Sequence, residues 1–136
     1  MSLVLSYDGQ LALLDVKRSY LDTLTLRLFK NDFIPQLISA TDAFVESDFA
    51  GYAPIVGPFF FAVPFTNADD KAETDSDVQT FTAGAVVAPQ SIFGYYLTDP
   101  EKNWIFAERR AAGGLLVTSL LQYLVQLRVT DRADPG

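Results

Sequence analysis

The chain has 136 residues, of which 49% are hydrophobic and 20% are charged, and its formal net charge is −7. This length and composition predict a globular protein with one domain that spans residues 1–136. The acidic balance argues against a nucleic-acid partner, because phosphate binding needs concentrated Lys and Arg, and the ten basic residues here are scattered.

The chain contains no cysteine and no histidine. Disulfides and thiolate chemistry are therefore excluded, and so is every Ser-His or Cys-His catalytic arrangement. We expect no enzymatic activity, no cofactor and no metal site. The first residues lack the basic region of a secretory signal, and no apolar run is long enough to span a bilayer. We therefore expect a cytoplasmic or virion-associated protein with no membrane partner.

Apolar residues at helical spacing predict a helix over residues 6–20, within an N-terminal helical segment 1–21. Its apolar face contains Tyr7, Leu11, Leu13, Leu14, Val16 and Tyr20. Such a wide face is expected to lie against a sheet. An alternative interpretation makes residues 3–7 an edge strand.

Residues 22–32 alternate between apolar and polar side chains, which predicts a half-buried strand. Leu24, Leu26 and Leu28 point to one side of this strand. Arg27 points to the other side, where we expect it to be solvated, although a ligand-binding role for Arg27 is the alternative.

Residues 33–56 show no single period. Within them we predict a short helical turn capped by Thr41 or Asp42, with Phe44 directed inward. Residues 51–56 read as a short strand, which Pro54 restricts to an edge or a bulge because proline cannot donate to a strand ladder.

The segment 57–65, GPFFFAVPF, combines four phenylalanines with two prolines. Two interpretations are open. The segment is either a rigid loop that covers the end of a sheet or an apolar surface that contacts another subunit, since exposed apolar patches usually mark interfaces.

Residues 66–77 are acidic and are expected to form a solvated loop. Their spacing does not fit the calcium loop of an EF-hand, which needs a glycine at the bend and a distal glutamate. Residues 78–82 predict a strand, and residues 85–88 a second short piece after a bend at Gly84.

Residues 91–110 predict a hairpin, with two strands joined by a tight polar turn. Asp99 and Pro100 suit the start of a type I turn, and Asn103 suits the left-handed conformation that closes a longer loop. In the first strand, alternation places one set of side chains on one face, Ile92, Gly94 and Tyr96, and the next set on the other face, Phe93, Tyr95 and Leu97. In the second strand, it places Trp104 and Phe106 on the face opposite to that of Ile105 and Ala107. Both faces are apolar, so we expect both to be covered.

The last third of the chain predicts a short strand at 115–119, a clear strand at 122–130 and a polar tail at 131–136. A helix over 115–127 is the alternative, because several leucines there also have helical spacing. The whole pattern predicts a mainly β fold: an antiparallel β-sandwich or barrel of about seven strands with one N-terminal helix.

Glu108 is the best candidate for acid–base chemistry, because alternation would place it beside Trp104 and Phe106. Arg109 and Arg110 follow it directly, so we favour an ion pair across the sheet instead. A carboxylate-based hydrolase remains a remote alternative. A second acidic pair, Glu46 and Asp48, lies on a loop where turns and caps use the same residue types.

Four segments together resemble a known group of proteins. They are LTLRLFKND (24–32), ESDFAGYAP (46–54), IFGYYLTD (92–99) and IFAERR (105–110). In this order they resemble a loose group of small, largely uncharacterised proteins that are often encoded among phage or prophage structural genes. The resemblance implies a β-rich protein with a virion-associated or assembly role, and it carries no functional residues with it.

These observations predict a non-enzymatic structural or interaction module that forms a homo-oligomer or binds another structural protein. The expected contact residues are Phe59, Phe60, Phe61, Phe65, Tyr95 and Tyr96. The alternative hypothesis is a small barrel that binds an apolar small molecule. Its expected pocket residues are Tyr96, Trp104, Phe106 and Glu108.

Overall fold

The computed structural model describes residues 6–85 and 88–131. One helix, α1 (Tyr7–Leu21), opens this part of the chain. Ser6 caps the helix, because its hydroxyl accepts a hydrogen bond from the backbone N–H of Gly9 at 3.0 Å. The predicted helix is thus confirmed, and Tyr7 belongs to it; the rest of the alternative edge strand at 3–7 lies largely outside the described residues.

The buried face of α1 is narrower than its apolar pattern predicts. Leu14 and Leu21 are buried, whereas Leu13, Val16 and Tyr20 are exposed. The reason is that α1 lies across the surface of one small sheet, so only the stripe that faces this sheet is covered.

The rest of the described chain consists of short antiparallel strands and one 3-10 turn at Thr41–Ala43. The strands are β1 (Thr25–Phe29), β2 (Ile55–Val56), β3 (Phe65–Thr66), β4 (Ala72–Asp75), β5 (Gln79–Thr82), β6 (Ser91–Ile92), β7 (Gly94–Thr98), β8 (Trp104–Arg109), β9 (Leu115–Leu116), β10 (Gln122–Val125) and β11 (Arg128–Asp131). The prediction of a mainly β chain with one N-terminal helix is confirmed. The seven-strand sandwich or barrel is not confirmed, because the described strands are more numerous and shorter, and none of their sheets closes into a barrel.

The described strands form a four-stranded sheet in the order β2-β1-β7-β8 and a three-stranded sheet in the order β11-β4-β3. Two further pairs are β10-β5 and β6-β9. Helix α1 packs on the three-stranded sheet, where it contacts β3, β4 and β11. The expectation that the helix lies against a sheet is therefore confirmed.

The four-stranded sheet is covered on both faces, as the apolar hairpin predicts. On one face Leu26, Leu28 and Leu97 are buried in the main core. On the other face an aromatic cluster contains Phe29, Phe33, Phe44, Phe93, Tyr96 and Trp104. The segment 30–45 supplies Phe33 and Phe44 to this cluster, so it is the element that covers the second face, and Phe44 points inward as predicted.

Strict alternation does not hold through the hairpin. Ile92 pairs with Leu115 in a different sheet and is buried in the main core, whereas Phe93 packs in the aromatic cluster. In β8 the register shifts beside Ile105, so Trp104 shares the face of Tyr96 and not that of Phe106. The predicted grouping of Ile92 with Tyr96, and of Trp104 with Phe106, is wrong because the chain changes sheet at Phe93 and carries a bulge at Ile105.

The hairpin turn lies where it was predicted, but a different residue adopts the left-handed conformation. The Asp99 carboxylate accepts a hydrogen bond from the backbone N–H of Asn103 at 2.8 Å. Lys102, with φ of 67°, occupies the left-handed conformation that we expected at Asn103.

Two segments differ from their predictions. The acidic segment 66–77 is not simply a solvated loop: β4 lies within it, and Ala72, Glu73 and Thr74 are buried. The predicted strand 122–130 is split into β10 and β11, which pair with β5 and β4 respectively. The alternative helix over 115–127 is wrong, because this segment contributes β9 and β10 to two different sheets.

The remaining strand predictions hold over shorter lengths. The strand predicted at 51–56 is β2, and the one predicted at 78–82 is β5. Of the second piece predicted at 85–88, residues 86 and 87 lie outside the described residues, as do residues 132–136 of the predicted tail.

Candidate interaction site

The segment 30–45 leaves the end of β1 and returns to it as a closed loop. The Asn31 amide donates a hydrogen bond to the carbonyl oxygen of Ala43 at 2.8 Å and accepts one from the backbone N–H of Val45 at 2.9 Å. The backbone N–H of Lys30 also donates to the carbonyl oxygen of Val45 at 2.8 Å. One asparagine therefore fastens both ends of the loop together.

Strand β8 holds the loop from the other side. The indole N–H of Trp104 donates to the carbonyl oxygen of Ser39 at 2.8 Å, and its backbone N–H donates to the Thr41 hydroxyl at 3.2 Å. The Arg109 guanidinium donates to the carbonyl oxygen of Phe33 at 3.1 Å and pairs with the Asp32 carboxylate at 2.6 Å. These contacts give the loop a fixed position relative to the hairpin.

Aromatic packing adds to this attachment. The ring of Phe44 stacks on Tyr96 with 4.3 Å between their centroids, and it meets Phe33 and Phe29 edge to face at 4.9 and 5.4 Å. Such pairs stabilise a fold beyond the apolar area they bury. The loop is thus held by hydrogen bonds at its ends and by a packed ring in its middle.

The tip of this loop presents aliphatic side chains to solvent. Gln36 and Ser39 close the tip: the Gln36 N–H donates to the Ser39 hydroxyl, and the Ser39 N–H donates to the Gln36 carbonyl oxygen, both at 3.0 Å. Between them Leu37 is 99% exposed and Ile38 is 95% exposed, and Ile34 nearby is 66% exposed. We call these three residues the apolar turn. Tight turns ordinarily carry Gly, Asn, Asp or Ser, so fully exposed aliphatic residues are unusual at this position.

A second candidate surface lies on the other side of the four-stranded sheet. It is a groove of about 120 Å³ between β8 and β11, which are each the last strand of their sheet. The apolar residues that line it are Leu21, Phe61, Leu97, Phe106, Leu127 and Val129. We call this cavity the apolar groove.

Polar groups also line the apolar groove, and they are already paired. The Tyr95 hydroxyl donates to the Glu108 carboxylate at 2.8 Å. Burial, together with this hydrogen bond, raises the pKa of Tyr95 well above its ordinary value. The Arg128 guanidinium lies 3.0 Å from Asp75 and 3.2 Å from Glu73. The prediction that Glu108 forms an ion pair across the sheet is corrected here, since its partner is the Tyr95 hydroxyl.

Arg27 is not solvated as expected, because the segment 30–45 covers its face of β1. Its guanidinium donates to both carboxylate oxygens of Glu46 at 3.0 Å and to the Thr98 hydroxyl at 3.0 Å. The Tyr52 hydroxyl donates to the same carboxylate at 2.7 Å. Arg27 and Glu46 also line an open cavity of about 190 Å³. With its charge paired internally, Arg27 serves to attach the segment that contains Glu46 to β1.

The second member of the acidic pair, Asp48, is also engaged. Its carboxylate accepts hydrogen bonds from Lys30 at 2.8 Å and from the Gln90 amide at 2.6 Å. These bonds hold the pKa of Asp48 below its ordinary value. Glu46 and Asp48 thus bind different partners.

Alkaline pH is expected to destabilise the protein through its buried tyrosines. Burial raises the pKa of Tyr96 to about 12, whereas an unfolded tyrosine titrates near about 10. The unfolded state therefore loses protons first, so this contribution is complete below about pH 10 and is lost as the pH rises toward 12. Tyr52 and Tyr95 act in the same direction. The urea midpoint should fall between pH 10 and 12, and it should fall less in Tyr96→Phe; equal falls in both proteins would contradict the role of Tyr96.

The structure separates the predicted contact residues into two groups. Phe59, Phe61 and Tyr96 are buried, and Tyr95 is half-buried at the groove. Phe60 is 66% exposed and Phe65 is 43% exposed. The Phe-rich segment therefore places two rings in the core and leaves two at the surface, and its contact with another subunit stays a prediction.

The predicted pocket residues are not brought together. Tyr96 and Trp104 lie in the aromatic cluster, and Phe106 and Glu108 lie in the apolar groove on the opposite face. Among the described residues that line the groove, Glu108 is the only carboxylate. The apolar turn was missed by sequence reasoning; the signal for it was Leu37 and Ile38 between two polar residues in a stretch without strand or helix period.

Within residues 6–85 and 88–131, no helix has the length and hydropathy needed to cross a membrane. The same residues contain no group of three or more carboxylates placed to hold a metal ion. No protein family, no curated protein and no solved structure was found to match this chain.

Proposed function

We propose that this protein is a non-enzymatic structural module that self-associates, in an assembly-related or virion-associated role. The observation that carries the proposal is the apolar turn, in which Leu37 and Ile38 are almost fully exposed on a loop that is fastened at both ends. A surface that is apolar and already rigid loses little conformational entropy on binding, which favours association.

The free energy gained by burying the apolar turn is consistent with an assembly contact. Burying two aliphatic side chains contributes roughly 3–6 kcal/mol. This gain is comparable with the entropic cost of bringing two proteins together, so a single such contact is weak and depends on concentration. Repetition of the contact in an assembly is what makes it stable.

The assembly role is also supported by the four segments that resemble proteins encoded among phage structural genes. The exposed side chains of Phe60 and Phe65 offer further apolar surface. The net charge of −7 opposes close approach of two copies. We therefore expect added salt to strengthen the association, because screening weakens the repulsion and leaves the apolar contact intact.

Replacing Leu37 and Ile38 by serine is expected to weaken self-association without affecting the fold, because both side chains are exposed. The measurement is molar mass by light scattering after gel filtration over a range of concentrations. The wild type should exceed the 15.0 kDa of one chain, and the double variant should shift the midpoint concentration upward by about tenfold or more.

Two single variants make this experiment specific. Val16→Ser removes a 74% exposed aliphatic residue from α1 and should leave the mass unchanged. Phe60→Ser tests the Phe-rich segment separately. A wild type that stays monomeric at every concentration would refute the proposed self-association, and an effect confined to Phe60→Ser would move the contact away from the apolar turn.

The second candidate function is binding of a small apolar ligand in the apolar groove. The observation in its favour is the groove itself, whose lining is mostly apolar and includes a few polar groups. Titration with benzene, followed by the NMR shifts of the Leu127 and Val129 methyl groups, tests this function. Trp104 is not a suitable reporter, because its indole lies on the other face of the sheet.

A further inference from the structure

We propose that the self-association is head to tail: the apolar turn of one copy inserts into the apolar groove of the next copy. This inference rests on the proposed function and adds to it the second surface and the geometry of the contact. It follows from the position, size and charge of the two surfaces.

The two surfaces lie on opposite faces of the same sheet. The loop that carries the apolar turn packs on the face of Tyr96 and Trp104. The apolar groove opens on the face of Leu97 and Phe106. Because β7 and β8 separate them, and because the loop is fastened at both ends, a chain cannot place its own turn in its own groove. A second copy can.

The sizes of the two surfaces correspond. A cavity of roughly 150 Å³ lined by aliphatic and aromatic side chains is known to hold one benzene molecule. The apolar groove has about 120 Å³, and most of the residues that line it are aliphatic or aromatic. It therefore suits one branched aliphatic side chain such as that of Leu37, with Ile38 covering the rim.

The turn and the groove are also compatible in charge. Residues 33–41, which include the apolar turn, contain no charged side chain. At the groove, Arg128 is paired with Glu73 and Asp75, and Glu108 is bound to Tyr95. An uncharged insert leaves these pairs intact, whereas a charged side chain in the groove would lose its water without gaining a free partner there. A lipid surface fits the turn less well, because residues 33–41 carry no Lys or Arg to attract it.

Because the turn and the groove lie on opposite faces of the sheet, two copies cannot insert their turns into each other's grooves at the same time, so the contact is heterologous. It leaves a free turn at one end and a free groove at the other, so it continues into a ring or a filament and does not stop at a dimer. This is the geometry that a repeated structural protein requires.

Disulfide trapping tests the contact directly, because the chain has no cysteine of its own. Leu37→Cys and Phe106→Cys are made separately, mixed at equal concentration above the wild-type assembly midpoint, and oxidised. We expect a disulfide-linked heterodimer from the mixture and none from Leu37→Cys alone. Val16→Cys mixed with Phe106→Cys is the matched control and should give no heterodimer. Cross-linking of Leu37→Cys alone as efficiently as in the mixture would indicate a symmetric turn-to-turn contact and overturn the inference.

Mixing of two blocked chains provides a measurement without oxidation. Leu37→Asp with Ile38→Asp blocks the turn, and Phe106→Lys blocks the groove. Each protein alone should remain at the 15.0 kDa of one chain, and the mixture should reach twice that mass and no more. A monomeric wild type would refute the proposed function itself. An assembling wild type whose mixture stays monomeric and gives no trapped heterodimer would overturn only the head-to-tail inference.

Discussion

Replacement of Phe44 by alanine is expected to lower the free energy of unfolding by about 3–5 kcal/mol, the range found for large aromatic side chains removed from a core. Phe44 is 6% exposed and lies at the centre of the aromatic cluster. Its ring contacts Phe29, Phe33, Tyr96 and Trp104, with centroid distances from 4.3 to 5.5 Å. Because four aromatic rings pack around Phe44, we expect much of the cavity left by alanine to persist.

The measurement is urea unfolding followed by far-UV circular dichroism. Val45→Ala is the matched control, because Val45 is the next residue, is 46% exposed and should change stability by no more than about 0.5 kcal/mol. Hydrogen exchange should also accelerate in residues 33–45 of the Phe44 variant, since the loop loses its packed ring. A loss of stability equal to that of Val45→Ala would show that the aromatic cluster does not hold the loop.

The second large effect is expected at Gly94, where β7 lies very close to β8 and to the ring of Phe29. A Cβ atom added there would collide with the carbonyl oxygen of Glu108 and lie 2.7 Å from the ring of Phe29. The first obstacle is backbone in a paired strand and cannot rotate away. Gly94→Ala should therefore destabilise the protein by about 3 kcal/mol, at the upper end of the usual cost of overpacking.

Gly84→Ala is the control for this prediction. A Cβ at Gly84 would have ordinary contacts of 3.4 Å with Ala50, so we expect a change of less than about 1 kcal/mol. Both variants are compared by the urea midpoint at constant slope. Equal midpoints would mean that β7 and β8 can separate at Gly94 without cost, and the close approach described here would then have no energetic role.

Much of the secondary structure was predictable from local patterns. Tyr7, Leu11 and Leu14 have helical spacing, and residues 24–29 alternate, so α1 and β1 follow from the order of residues alone. The hairpin turn at Asp99 also followed, because Asp-Pro and Asn have strong turn preferences.

The candidate site was much less predictable. The apolar turn depends on exposure, and exposure of Leu37 and Ile38 depends on how Trp104, which is distant in sequence, helps to fix the loop. The apolar groove combines Leu21, Phe61, Phe106 and Val129 from four separate parts of the chain. Neither surface can be predicted from a periodic pattern within one segment of the sequence.

By itself, the sequence determined that the chain is mainly β with one N-terminal helix, that both faces of the hairpin need cover, and that histidine and cysteine chemistry is excluded. These properties depend on residue type and on spacing within one element. Only the tertiary structure decided which face each side chain occupies, because one bulge at Ile105 and one change of sheet at Phe93 invert the alternation beyond them. Such shifts are set by pairing with distant strands, which is why Trp104 and Phe106, two residues apart, lie on opposite faces of the same sheet.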